Sequence, residues 1–240
     1  MIRRGAAPLA LLAAIALAGC ETTQEKSAQI AKRLGNQRAD AQQTKIAAAN
    51  KSVRILRSAI VHGTGGSAAV LELENTSAAA QRDIPIVITA YDASGKAAYT
   101  NNTVGPSSPG GELSLLAGHA TAWWVDSNVL SSVGEPVRLV AQIGAGSTGA
   151  APLPLRSANL AGGSNFVGAY IGGTATNGSG SALSDVTVYA VALAGGRVVA
   201  AGQSLIPSLS AHGSTSFQVS VIGSPKGASS AATIAPGHLG

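Results

Sequence analysis

The feature that most restricts what this chain can become is an internal repeat. Asn75 stands eight residues before Asp83, and Asn177 stands eight before Asp185. From there Asp83-Ile84-Pro85-Ile86-Val87 matches Asp185-Val186-Thr187-Val188-Tyr189 without a gap. Upstream, Leu56-Arg57-Ser58-Ala59 recurs as Leu155-Arg156-Ser157-Ala158. Downstream, Asp92-Ala93-Ser94-Gly95-Lys96 answers Ala194-Gly195-Gly196-Arg197, one residue shorter, and Leu115-Leu116-Ala117 answers Leu209-Ser210-Ala211. Matches in one order along a chain this long mark two copies of one domain. They cover 53–146 and 153–235, joined by a Gly/Ala/Pro linker at 147–152 and followed by a tail at 236–240. Two copies are too few for a solenoid, so each is expected to hold its own core and to fold alone.

Inside each copy the pattern is one of short apolar runs separated by Gly, Ser, Asn and Pro. Ser67 to Asn75 alternates, Ile84 to Tyr91 forms a stronger run, and further runs cover Thr121 to Val125 and Val137 to Ile143. Asp92-Ala93-Ser94-Gly95 supplies a turn in which glycine can take a positive φ. Several strands at this spacing predict an all-β chain of two antiparallel β-sandwiches. Aromatics are only 3% of the residues, so Val, Ile, Leu and Ala must fill the cores.

The order strand, Asn-x-Ser, Asp, apolar strand, Tyr91-Asp92-Ala93-Ser94-Gly95-Lys96 hairpin, Leu-x-Ala-Gly, aromatic strand resembles the FxLYD-type, immunoglobulin-like domains of bacterial surface lipoproteins. The match is clearest at Asn75–Tyr99. The second copy has Leu193-Ala194 where the first has Tyr-Asp. The resemblance implies a non-catalytic extracytoplasmic module without catalytic residues to carry over.

The N-terminus reads as an address. Arg3-Arg4 is followed by an apolar run from Ala6 to Gly19, too short for a membrane span and the right length for a secretory signal. Its end, Leu17-Ala18-Gly19-Cys20, resembles the bacterial lipobox. Residues 1–19 are therefore expected to be a lipoprotein signal peptide, and Cys20 the lipid-attachment residue. Acyl and diacylglyceryl chains together exceed what stable bilayer anchoring needs. Cys20 is the only cysteine, so no intramolecular disulfide is available. Residues 20–52 are polar and rich in Ala, Gln and Lys, which predicts a partly helical, exposed stalk. From Glu21 to Arg57 eight basic residues face three acidic ones, whereas from Ser58 onward six basic face eight acidic. The basic excess lies beside the lipid, where it favours anionic headgroups, and no basic face suited to nucleic acid is left on the domains.

Residues with chemical potential have ordinary explanations. Gly144-Ala145-Gly146-Ser147-Thr148-Gly149 has GxGxxG spacing, but Pro152 and Pro154 forbid the helix a dinucleotide site requires. His62, His119, His212 and His238 lack partners at metal-ligand spacing and read as turn residues. Glu72 and Glu74 share a strand face and read as solvated. No metal, cofactor or catalytic residue is expected. Trp123-Trp124 point opposite ways on a regular strand. Aligning Thr121, Trp123 and Val125 with Thr215, Phe217 and Val219 makes Trp123 the core aromatic. It places Trp124 outside with Ala122 and Asp126, as a candidate partner contact or a residue covered by the other domain. The expected molecule is a lipid-anchored, extracytoplasmic envelope lipoprotein, in the outer membrane where the source cell has one. It would bind or scaffold an envelope protein or polymer; the alternative is an accessory or sensor subunit for a small ligand or metal ion.

Overall fold

The computed structural model describes residues 46–102, 111–129, 134–149 and 153–237, and all of their regular structure is β. The first copy contains β1 (Val53–Gly63), β2 (Gly66–Asn75), β3 (Gln81–Tyr91), β4 (Ala97–Thr100), β5 (Glu112–Leu116), β6 (Thr121–Val129), β7 (Arg138–Ile143) and β8 (Ser147–Thr148). The second contains β9 (Leu155–Asn165), β10 (Gly168–Asn177), β11 (Leu183–Ala194), β12 (Arg197–Leu209), β13 (Ser214–Ser220), β14 (Ile222–Gly223) and β15 (Ser229–Ala235). The expected signal peptide, Cys20, the expected stalk up to residue 45 and His238 lie outside the described residues.

Each copy is an antiparallel sandwich whose strands pair only within that copy. In the first, a β1-β2-β6 sheet faces a sheet centred on β3, which is flanked by β4 and β5 on one side and β7 and β8 on the other. In the second, β9-β10-β13 faces β14-β12-β11-β15. The strand pairing of the two copies corresponds, with β12 continuous where the first copy is divided into β4 and β5, while β8 and β14 have no counterpart among the described residues. At that division the Asn101 side chain takes the place of a missing strand residue. It accepts from Ile88 N at 2.8 Å and donates to Ile86 O at 3.0 Å.

Strand parity then assigns the faces. On β3, Ile84, Ile86, Ile88 and Ala90 are fully buried and alternate with the partly exposed Pro85, Val87, Thr89 and Tyr91, the two-residue period of a strand. On β11, Val186, Val188, Ala190 and Ala192 fill the second core. The opposite parity of β11, Tyr189 and Val191, is buried too, but in a cluster with Val70, Trp123 and Val125 of the first copy. The outer face of β1-β2-β6 therefore stacks on the outer face of the β11-β12-β15 sheet. The molecule is four sheets deep, with a third apolar layer between the copies. Each copy has its own core, yet the two are also fused face to face, so the independence expected from the repeat alone leaves out a shared layer.

Two boundaries differ from the sequence reading. Ser147 and Thr148 pair with Arg82 and Gln81, so the start of the 147–152 segment extends the first copy's sheet. The end of the expected stalk also belongs to the body. Ala49 bridges Gly144, and Asn50 N donates to Ile143 O at 2.9 Å. Asn50 Oδ1 in turn accepts from Ser52 N and Val53 N at 3.0 and 2.9 Å.

The repeat extends to backbone strain. Asp83 and Asp185 have φ of 50° and 51°, and His119 and His212 have φ of 54° and 51°. Non-glycine residues rarely adopt this region, so the same departures at matching places identify matching residues.

Candidate functional site

The matching strain exposes a one-residue slip in the sequence alignment of the aromatic strand. Asn75 Nδ2 donates to Leu116 O and Ala117 O, and Asn177 Nδ2 donates to Leu209 O and Ser210 O. His119 N donates to Ser77 O and His212 N to Ser179 O, both at 3.0 Å. Leu116 thus corresponds to Leu209 and His119 to His212, and the strand register continues the correspondence. Leu71 pairs with Trp124, and Gly173 pairs with Phe217. A slip of one residue exchanges the two faces of a strand. Trp124, 2% exposed, is therefore the core aromatic of the first copy, matching Phe217. Its indole N–H has no hydrogen-bond partner among the described residues. The proposed outward contact of Trp124 is corrected: its side chain is not on the surface. The Leu-Arg-Ser-Ala match was likewise offset, since Val53 pairs with Asn75 where Leu155 pairs with Asn177. That places Arg54, not Arg57, against Arg156.

Trp123 instead occupies the seam between the copies. Its backbone N–H donates to Thr233 Oγ1 at 2.8 Å, and the Arg57 guanidinium lies 5.7 Å from its ring centroid. Arg57 also pairs with Glu72 at 3.5 Å and donates to Gly196 O in the second copy. Glu74 pairs with Arg54. Both glutamates of the alternating strand are thus engaged with arginines rather than poised as an acid–base pair. Gly63 and Gly223 let the seam close, because a Cβ on Gly63 would stand 2.8 Å from Gly223 N. Toward the other end of the first sandwich, Ser114 Oγ donates to Pro236 O at 2.5 Å. At the end of the seam where Leu155 begins the second copy, a groove of about 230 Å³ is lined by Leu116, Ala120, Ala122, Leu155, Thr233 and Ile234. It is smaller than the roughly 300–1,000 Å³ of typical small-molecule sites.

Asp126, which the sequence alignment put on the solvent face, is 6% exposed. It accepts from the Tyr99 hydroxyl at 2.6 Å and from Asn128 N at 3.0 Å. Desolvation pushes its carboxyl above the ordinary aspartate value, partly opposed by those two hydrogen bonds. Tyr99 is pushed upward by burial and then by the Asp126 charge. The two form a hydrogen-bonded pair in which Tyr99 keeps its proton. Tyr189 at the seam is also held protonated by burial. Nothing in local sequence marked Asp126 as buried; only a correct register could have done so.

Of the remaining sequence candidates, the glycines serve the backbone, whereas His62, expected in a turn, lies in strand β1 and uses its side chain. Gly144 packs on Pro85 and Ile46, and a Cβ on Gly146 would stand 2.4 Å from Arg82 O, so the GxGxxG stretch serves close packing. His62 Nδ1 lies 2.9 Å from Ser67 Oγ and 3.3 Å from Glu135. Among the described residues no three His, Cys, Asp or Glu side chains gather as a metal site. Compared with known proteins, the chain matches no family model, and no curated protein is significantly similar to it.

Proposed function

We propose that this chain is a lipid-anchored envelope lipoprotein whose fused sandwiches act as a non-catalytic binding or scaffolding module, as in the FxLYD-type domains it resembles. The observation that carries the reading is the clamp at Asn50. The segment arriving from the tether is bonded into the first sandwich through Ile143, Gly144 and Gln81. That sandwich is in turn locked to the second by the Arg57–Trp123–Thr233 seam. A pull on the N-terminus is thereby transmitted to a stiff four-layer body, which suits a tethered module that holds something at a distance from the membrane. A sensor of a small ligand is the weaker reading, because the seam groove is small.

The test is twofold. Cys20→Ser should leave the precursor unprocessed or move the protein from the membrane to the soluble fraction; unchanged processing and fractionation refute the anchor. Crosslinking in intact envelopes should capture a protein or polymer with the wild-type chain and lose it when the body is deleted. Capture that persists without the body assigns it to the tether and refutes a binding role for the sandwiches.

A further inference from the structure

The most exposed large apolar side chains of the described residues sit side by side at one hairpin tip. Phe166 is 100% exposed and Val167 71%, in the turn between β9 and β10. The turn is held in shape: Asn165 Oδ1 accepts from Val167 N at 2.9 Å and Gly168 N at 3.2 Å, which presents the two side chains outward. The equivalent turn of the first copy is Gly63-Thr64-Gly65-Gly66 and carries nothing apolar. The tip is thus an addition specific to the second copy, and the core does not use it.

We propose that this tip is a bilayer-insertion point, Phe166 and Val167 entering the acyl region of a lipid surface while the body stays in water. Three observations point to lipid. The tip projects into solvent with two adjacent apolar side chains, Phe166 fully exposed. From Ser157 to Ser184 the chain has no Asp, Glu, Lys, Arg or His, so beyond Arg156 at its base the hairpin carries no charge to desolvate at an interface and none to fix the register of a protein partner. Tyr170 lies two residues behind Gly168, about 7 Å back along the strand. A Cβ on Gly163 would stand 2.8 Å from its ring, so glycine there lets the ring lie across the hairpin. A tyrosine at that depth suits the headgroup layer, where its ring and hydroxyl are both accommodated.

Two inserted side chains bind weakly, so the tip acts only where a tether supplies high local concentration. In this respect it rests on the anchor reading. The 25 residues between Cys20 and Ile46 span at most about 85 Å, against roughly 36 Å for an eleven-residue strand. The tether can therefore let either end of the body reach the bilayer.

Because Cys20 is the only cysteine, the mature chain can be coupled through it to a maleimide lipid in phosphatidylcholine vesicles, whether or not cells lipidate it. In the Phe166→Trp variant the reporter indole, read as the difference from the parent chain with its buried Trp123 and Trp124, should shift to the blue on coupling and be quenched by shallow doxyl-labelled lipid. The effect should be the same with or without phosphatidylglycerol. With Val167→Ser added, the equilibrium constant for insertion should fall about tenfold or more. Emission that stays at its aqueous position, or a blue shift without lipid quenching, overturns the proposal; the second result means that the tip packs on protein. Unchanged urea unfolding of both variants is the control for the fold. Insertion by the coupled chain, combined with a Cys20→Ser protein that fractionates normally in cells, upholds the tip and refutes the anchor. Release of Cys20→Ser with no insertion does the reverse.

Discussion

The corner asparagines give the sharpest test of how each sandwich is held. Asn75 and Asn177 are fully buried. The two N–H groups of Asn75 serve three carbonyls, those of Ala79, Leu116 and Ala117, at 2.8, 3.3 and 3.2 Å. Its Oδ1 accepts from Ser77 N and Oγ at 3.0 and 2.7 Å. Asn177 repeats this with Ser181, Leu209, Ser210 and Ser179. In Asn75→Ala two donors are lost at about 1 kcal/mol each, and the buried Leu116 carbonyl is left unpaired at about 1–3 kcal/mol. Ser77 can turn to water, so the total is about 3–5 kcal/mol. Asn75→Asp is the discriminating change, because it keeps shape and the Oδ1 acceptor. It replaces the donors with a second oxygen facing three carbonyls, and at neutral pH it should cost at least as much as alanine. The buried charge raises the folded-state pKa of the new carboxyl above its unfolded value, so this variant should regain stability as pH falls. Urea unfolding at neutral and acidic pH, with the slope m checked for constancy, reads both effects. An aspartate variant more stable than the alanine variant at neutral pH, or an alanine loss under about 1 kcal/mol, refutes the donor account.

Trp124→Ala should destabilise by about 3–5 kcal/mol as a buried large-to-small change, whereas Trp124→Phe, which installs the second copy's residue, should cost much less. Trp123→Lys should instead separate the stacked sheets and split thermal unfolding into two calorimetric transitions; a single transition would show that the seam does not couple the copies. Asp126 has a raised folded-state pKa, so its contribution to stability is greatest at acid pH and is lost as pH rises through that value. Asp126→Asn should therefore flatten the pH dependence of the urea midpoint above about pH 4, and a profile that keeps its wild-type slope would refute the assignment.

Much of this architecture was legible because it is written in local patterns. The Asn-to-Asp spacing, the Ile84–Tyr91 alternation and the Asp92–Lys96 turn depend on neighbours within a few residues, and they specified strands, turns and duplication. The N-terminal address is local in the same way, so Cys20 was named from its flanks alone. Facing in the aromatic strand was different. Trp123 and Trp124 have similar chemistry, and both strand parities are apolar because one serves the core and the other the seam. Hydrophobic alternation then cannot fix the register, and a Ser/Thr-rich partner strand accepted a one-residue slip. The His119–His212 pair was the one local signal that could have corrected it. The burial of Asp126, the docking of residues 46–50 and the stacked sheets each depend on residues tens to more than a hundred positions apart. The sequence by itself determined the strands, the repeat and the expected anchor. Only tertiary packing decided which faces meet, because a strand's pattern records that a face is apolar without recording whose apolar surface covers it.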